Sequence, residues 1–192
     1  SCDVVYSPQK PTDGSSVNTD VVVSLNGIED DRSAAENIIA PVQTYTFAQN
    51  GTYEFKLTDE AGNETIVPIN VDYIDKTPTE LTAEFTSGTE TLDVSKDFTV
   101  SENKGDYRNT SYTYEYKGGY LKDDVSASVY FRGEQVKLMN ISDDGVYTYE
   151  HTAKSGSKGT IIIKGIKFDK EPPEANVSYT HIAAAQGSKV SV

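Results

Sequence analysis

The chain has 192 residues with 17 basic against 30 acidic side chains, a formal net charge of −13. That balance argues against a phosphate-binding nucleic-acid surface, which needs clustered Lys and Arg, and no apolar run approaches the roughly 20 residues of a membrane-spanning helix. A single Cys (Cys2) excludes an intramolecular disulfide framework and a Cys-cluster metal site, and two His (His151, His181) leave little for zinc or triad chemistry. The only Met is internal (Met139), so the chain is expected to be part of a longer polypeptide.

In chain order the signal is β. Cys2–Tyr6 opens with an apolar strand pattern, and Val21–Leu25 is a short apolar run ending at the tight-turn dipeptide Asn26-Gly27. Tyr45-Thr46-Phe47 leads to a second such dipeptide, Asn50-Gly51. Thr52–Leu57 then alternates with period two and puts Tyr53, Phe55 and Leu57 on one face. Further strands are predicted over Glu80–Phe85, Ser126–Phe131, Thr160–Phe168 and Glu174–Tyr179. Helical periodicity is confined to single turns at Ser33–Ile39 and His181–Gln186, too short to stand alone. Many short strands without intervening helices point to an all-β sandwich or barrel.

The chain repeats itself. Asn50-Gly51-Thr52-Tyr53 matches Asp144-Gly145-Val146-Tyr147, and the pairs Gly51/Gly145, Gly62/Gly156 and Asp75/Asp169 share one spacing of 94 residues. Both repeats close on Asp-Lys-x-Pro, at Asp75–Pro78 and Asp169–Pro172. This divides the chain into a module at 1–76, a module at 77–170 and, over 171–192, a linker with the first strand of a third, incomplete module. The second module is longer by about 15 residues between its first strand and the shared Gly (Tyr6 to Gly51 against Phe85 to Gly145), placed near 103–124. Proline keeps the preceding residue extended, so the joints are expected to be short and stiff.

Tyr45-Thr46-Phe47, Asn50-Gly51-Thr52-Tyr53, Asp59-Glu60-Ala61-Gly62-Asn63 and Asp75-Lys76-Thr77-Pro78 together resemble the bacterial Ig-like repeats of Gram-positive cell-surface and S-layer-type proteins. The opening Val4-Val5-Tyr6-Ser7 and Lys10–Gly14 are similar to the start of those repeats, while the second module departs at the hairpin, with Ala153-Lys154-Ser155-Gly156-Ser157. The resemblance implies tandem immunoglobulin-like β-sandwiches joined by short Pro-containing linkers. It also implies an extracellular or cell-wall location and neighbouring modules of the same chain as partners. Without Trp or a Cys pair, each sandwich has to hold by apolar packing around Tyr and Phe.

Three candidate sites follow, each with a plainer alternative. The hairpin Asp59 to Asn63 offers oxygen ligands for calcium, or uses the same side chains for turn chemistry about Gly62. The joints offer Asp72, Asp75 and Glu80, then Asp169, Glu171 and Glu174, as calcium ligands or as solvated acidic surface. In the extra segment, Tyr112, Tyr114 and Tyr116 share one strand face, flanked by Tyr107, Arg108 and Tyr120. Facing out, they form an aromatic platform for a cell-wall or host glycan or a host protein; facing in, they form the core of a sandwich that lacks Trp. Gly118-Gly119 is the expected hairpin turn of that segment. No nucleophile or acid–base constellation stands out. Apart from calcium no cofactor is expected, and a Lys–Asn cross-link has no sequence box. The resulting expectation is a non-catalytic spacer of a surface or secreted protein, the alternative being an adhesin module that binds through the tyrosine segment.

Overall fold

A computed structural model describes residues 1–29 and 37–178. It is all-β, with thirteen strands and one helical turn among the described residues. In the N-terminal half, β1 (Asp3–Ser7), β2 (Val21–Asn26) and β3 (Thr44–Phe47) form a three-stranded sheet in that order. The hairpin of β4 (Gly51–Thr58) and β5 (Glu64–Val71) forms a separate two-stranded sheet. Strict alternation along β2 buries Val21, Val23 and Leu25, and these pack with Phe47, Phe55, Leu57, Ile69 and Val71 from the other elements. Tyr53, Phe55 and Leu57 share a face as predicted, and Phe55 and Leu57 are buried on it.

The C-terminal half is larger. Its first sheet has the order β11 (Glu134–Ile141), β10 (Val125–Phe131), β6 (Leu81–Ser87), β7 (Glu90–Leu92). The second has the order β12 (Val146–Thr152), β13 (Lys158–Lys164), β9 (Asn109–Tyr116), β8 (Phe98–Asp106). Between β7 and β8 lies the single helical turn α1 (Val94–Asp97), capped by Asp93, whose carboxylate accepts from the Ser95 amide. A sandwich-like core joins both sheets, with Leu81, Phe85, Val125, Val129 and Ile141 from one and Phe98, Tyr114, Ile161 and Ile163 from the other. Phe85 stacks on Phe98 at 4.3 Å between ring centroids, across the two sheets. The two halves therefore have separate cores.

The 94-residue spacing reappears in the hydrogen bonding. Asn50 Oδ1 accepts from the Ile74 amide at 2.7 Å, and Asp144 Oδ1 accepts from the Phe168 amide at 2.9 Å. Gly62 donates to Asp59 O at 3.0 Å and Gly156 to Ala153 O at 2.9 Å, both glycines at φ +87°, a left-handed value that glycine adopts without Cβ cost. Neither Asn50-Gly51 nor Asp144-Gly145 turns a hairpin. In each half the residue carries the chain between sheets, and its side chain clamps the strand that follows the next hairpin.

Strand pairing aligns β1 with β6, β2 with β10, β3 with β11, β4 with β12 and β5 with β13. Tyr6 lies opposite Val23, and Phe85 opposite Ala127, in the same register position. The extra chain of the second half is therefore β7, α1, β8 and β9, starting well before residue 103. Tyr6 to Asp20 spans 14 residues and Phe85 to Asp124 spans 39, while the first half is longer between Asp20 and Asn50. The sequence count of about 15 was the net of these two differences. Gly118-Gly119 makes no hairpin either: the chain leaves β9 for β10 in the opposite sheet, and the Tyr116 hydroxyl lies against Gly118 so closely that a Cβ there would collide. β13 ends at Lys164, earlier than predicted, where Gly165 (φ +82°) passes within 2.7 Å of Tyr116 O at its Cβ position. Residues 174–178 form no strand and pair with no strand among the described residues, and Val177 is 71% exposed. Tyr179, the turn at His181–Gln186 and most of Ser33–Ile39 lie outside the described residues.

Candidate functional site: the joint between the halves

The first Asp-Lys-x-Pro run lies where the two halves meet. Asp75 Oδ1 accepts from the Thr77 amide at 2.9 Å, a local turn that sets the chain direction, and Pro78 keeps Thr77 extended. Asp75 is also tied back by its amide, which donates to Val17 O at 2.9 Å, while Val17 donates to Tyr73 O at 2.8 Å. Lys76 forms an ion pair with Asp20 of the same half, and its ammonium lies 5.8 Å from the centroid of the Tyr107 ring across the joint. On the far side, Thr79 is fully buried; its carbonyl accepts from Thr110 Oγ1 at 2.6 Å and lies against Gly159, where a Cβ would come within 2.5 Å of it. That close approach requires glycine at 159.

Charge is arranged across this joint. Arg132 Nη2 lies 4.0 Å from Asp75 Oδ2. The Asp75 carboxyl is held below its ordinary range, first by its hydrogen bond from Thr77 and further by Arg132. Asp13 is lowered in the same way, first by Ser15 and then by the field of Lys154 from the other half. Arg108, whose guanidinium sits 5.3 Å from the Tyr107 ring centroid, is held charged first by Tyr107 and further by Asp106 and Asp20. A cleft of about 360 Å³ lies between, lined by Gly14, Ser15 and Ser16 from one half and Phe131, Arg132 and Lys154 from the other. Arg132 occupies the tip of the β10–β11 hairpin at φ +52°, the one non-glycine residue with positive φ among the described residues.

Most of the candidate calcium ligands make contacts within the protein. Asp59 Oδ1 accepts from the Asn63 amide at 2.7 Å and Oδ2 from Asn63 Nδ2 at 2.8 Å, which is the turn chemistry of the hairpin. Asp72 pairs with Lys10 at 2.7 Å and Glu80 with Lys104 at 3.4 Å. Asp169 accepts from the Glu171 amide at 3.3 Å, and Glu171 and Glu174 are exposed. Among the described residues no three His, Cys, Asp or Glu side chains converge on one point.

The aromatic face of β9 points inward. Tyr112, Tyr114 and Tyr116 are buried, and burial raises the pKa of each hydroxyl. A platform formed by these three rings is therefore not available at the surface. Tyr114 instead closes a sheet edge: its hydroxyl oxygen accepts from the Ala83 amide of β6 at 3.2 Å. Of the flanking residues, Tyr107 and Arg108 sit at the joint and Tyr120 is 68% exposed at the opposite end. Sequence reasoning missed Asp13, Asp20, Arg132 and Lys154. Arg132-Gly133 between two alternating runs was a legible hairpin tip, but nothing local places it opposite Asp75.

Comparison with protein-family models, with curated proteins and with solved structures finds no match. Among the described residues no helix is long and apolar enough to cross a membrane.

Proposed function

We infer that the chain is a pair of tandem immunoglobulin-like modules serving as a non-catalytic structural spacer of a bacterial cell-surface or secreted protein. The observation that carries this reading is the joint. Two halves with separate cores are linked by an Asp-Lys-Thr-Pro run whose Asp75 and Lys76 side chains are both engaged, and the same bonds recur at the end of the second half. A tether evolved for freedom would be Gly/Ser-rich and unbonded. A stiff, repeating joint transmits position along an array, and the acidic surface keeps such an array dispersed outside the cell.

The test is the distance between the halves in the intact chain. Spin labels at exposed sites, one at Leu138 and one at Ile66, are expected to give a single narrow distance distribution. A broad distribution spanning tens of ångströms would show two freely moving units and end the spacer reading.

A further inference from the structure

The far end of the C-terminal half repeats the face that the N-terminal half turns toward its neighbour. Leu121 donates to Lys167 O at 2.9 Å and Asp169 to Leu121 O at 3.0 Å, matching the bonds of Val17 and Asp75. Lys170 pairs with Asp124 at 2.6 Å as Lys76 pairs with Asp20. Asp169 accepts from the amide two residues on, as Asp75 does. Where Asp75 has Arg132 beside it, however, Asp169 has no basic side chain from another element among the described contacts. One residue before Leu121, whose carbonyl accepts from Asp169, Tyr120 exposes a large ring; its counterpart in the first half, Ser16, lines the cleft of the occupied joint.

Charge complementarity indicates what would fit there. The occupied joint sets Asp13, Asp20 and Asp75 against Lys154, Arg108 and Arg132, and those two arginines are the only ones among the described residues. Two acidic ends repel, so in a chain of net charge −13 only a basic end is accepted, which imposes head-to-tail order.

We propose that the face built from Tyr120, Asp124, Asp169 and Lys170 docks the module that follows in the same polypeptide, with Asp169 receiving a basic residue from the hairpin tip equivalent to Arg132-Gly133. This rests on the tandem-spacer reading. The positive φ of Arg132 then has a purpose, because the two-residue turn holds its guanidinium over the Phe131 ring and 4.0 Å from Asp75 of the preceding module.

The experiment appends a second copy of residues 77–178 directly after Lys170 of the chain. This recreates an Asp-Lys-Thr-Pro joint and supplies an Arg132 tip. Spin-label distances are measured across both joints. Both distributions are expected to be narrow. Asp169→Arg should widen the second alone, and adding Arg132→Asp in the appended copy should narrow it again. Tyr120→Ser, a change at an exposed site, should widen the same joint without moving the melting transition. A second joint that is wide while the first is narrow, or one indifferent to Asp169→Arg, overturns the proposal. If both joints are wide, the spacer reading itself has failed.

Discussion

β5 and β13 occupy the same place in the two halves, yet among the described residues one has an open edge and the other a covered one. The hairpin bond from Asp59 N to Asn63 O fixes which groups of β5 face β4; by alternation, residues 64, 66, 68 and 70 turn their backbone outward. In the second half the corresponding residues are 158, 160, 162 and 164. They face β9, as the bond from Lys158 N to Arg108 O at 2.8 Å shows, and β9 covers the edge as a parallel strand from Lys158 to Lys164. The first half lacks β8 and β9, and its open edge carries Pro68 where the second half has Ile162. Proline has no N–H to offer, so the outward ladder is interrupted near its middle. One architecture thus handles its exposed edge in two ways: an added ribbon covers it, or a proline blunts it. The ribbon also brings the tyrosines, which explains why they are core residues.

Removing the ribbon's anchor should break the comparison most severely. Tyr114→Ser deletes a buried ring packed on Phe85 and Phe98 and leaves the Ala83 amide unpaired. A cost of about 3–5 kcal/mol follows from the lost volume alone, enough to unfold the C-terminal half while the N-terminal core persists. Two separated transitions in a calorimetric melt would register it. Tyr114→Phe isolates the hydrogen bond and should cost about 1–3 kcal/mol.

Gly159→Ala tests the closeness of the linker to β13. The added Cβ meets Thr79 O at 2.5 Å and Leu81 Cγ at 3.0 Å, so backbone has to move. A loss of about 1–3 kcal/mol is expected in a denaturant titration of the second half. The equivalent site of the first half, Thr65, already carries a side chain, and Thr65→Ala there should be nearly silent.

Pro68→Thr sharpens the comparison from the other side. Restoring the outward N–H makes the edge of β5 a continuous template, next to Ile66 at 56% exposure. Sedimentation should show stronger self-association than in the unchanged chain. An unchanged sedimentation profile would show that Pro68 is not what blunts the edge.

Acid provides the smallest and most distributed effect. Asp13, Asp75 and Asp93 all titrate below the ordinary carboxylate value of 3.8 in the folded chain. Their contribution is present above that value and is lost as pH falls through the depressed folded values. Through Asp13 and Asp75 the joint should therefore loosen only below about pH 4, visible as a broadened inter-half distance, and remain unchanged between neutral pH and about 5, while Asp93 acts only on the α1 cap.

Much of this was legible in the residues. Period-two and short apolar runs located many of the strands, because side-chain alternation is a local consequence of the pleat, whereas the dipeptides Asn26-Gly27, Asn50-Gly51 and Gly118-Gly119 turned no two-residue hairpin. The spacing of 94 located equivalent backbone positions, since hairpin glycines and capping acids are needed wherever the same turn recurs. The site was less legible. Asp75 stood out as part of a repeated junction, but Arg132 and Asp13 lie far from it in sequence and carry no pattern of their own. Alternation also told that Tyr112, Tyr114 and Tyr116 share a face, without telling which way it turns.

The sequence by itself determined an all-β chain with a repeated closing hairpin and a recurring Asp-Lys-x-Pro run, because each depends on neighbours a few residues apart. Only the tertiary structure decided which strand covers which edge, that the tyrosine face is core, and that an acidic end meets a basic one. Those outcomes depend on what lies opposite a residue in space, and the pairing of β13 with β9 or of Asp75 with Arg132 joins positions about 50 residues apart with no local signal between them.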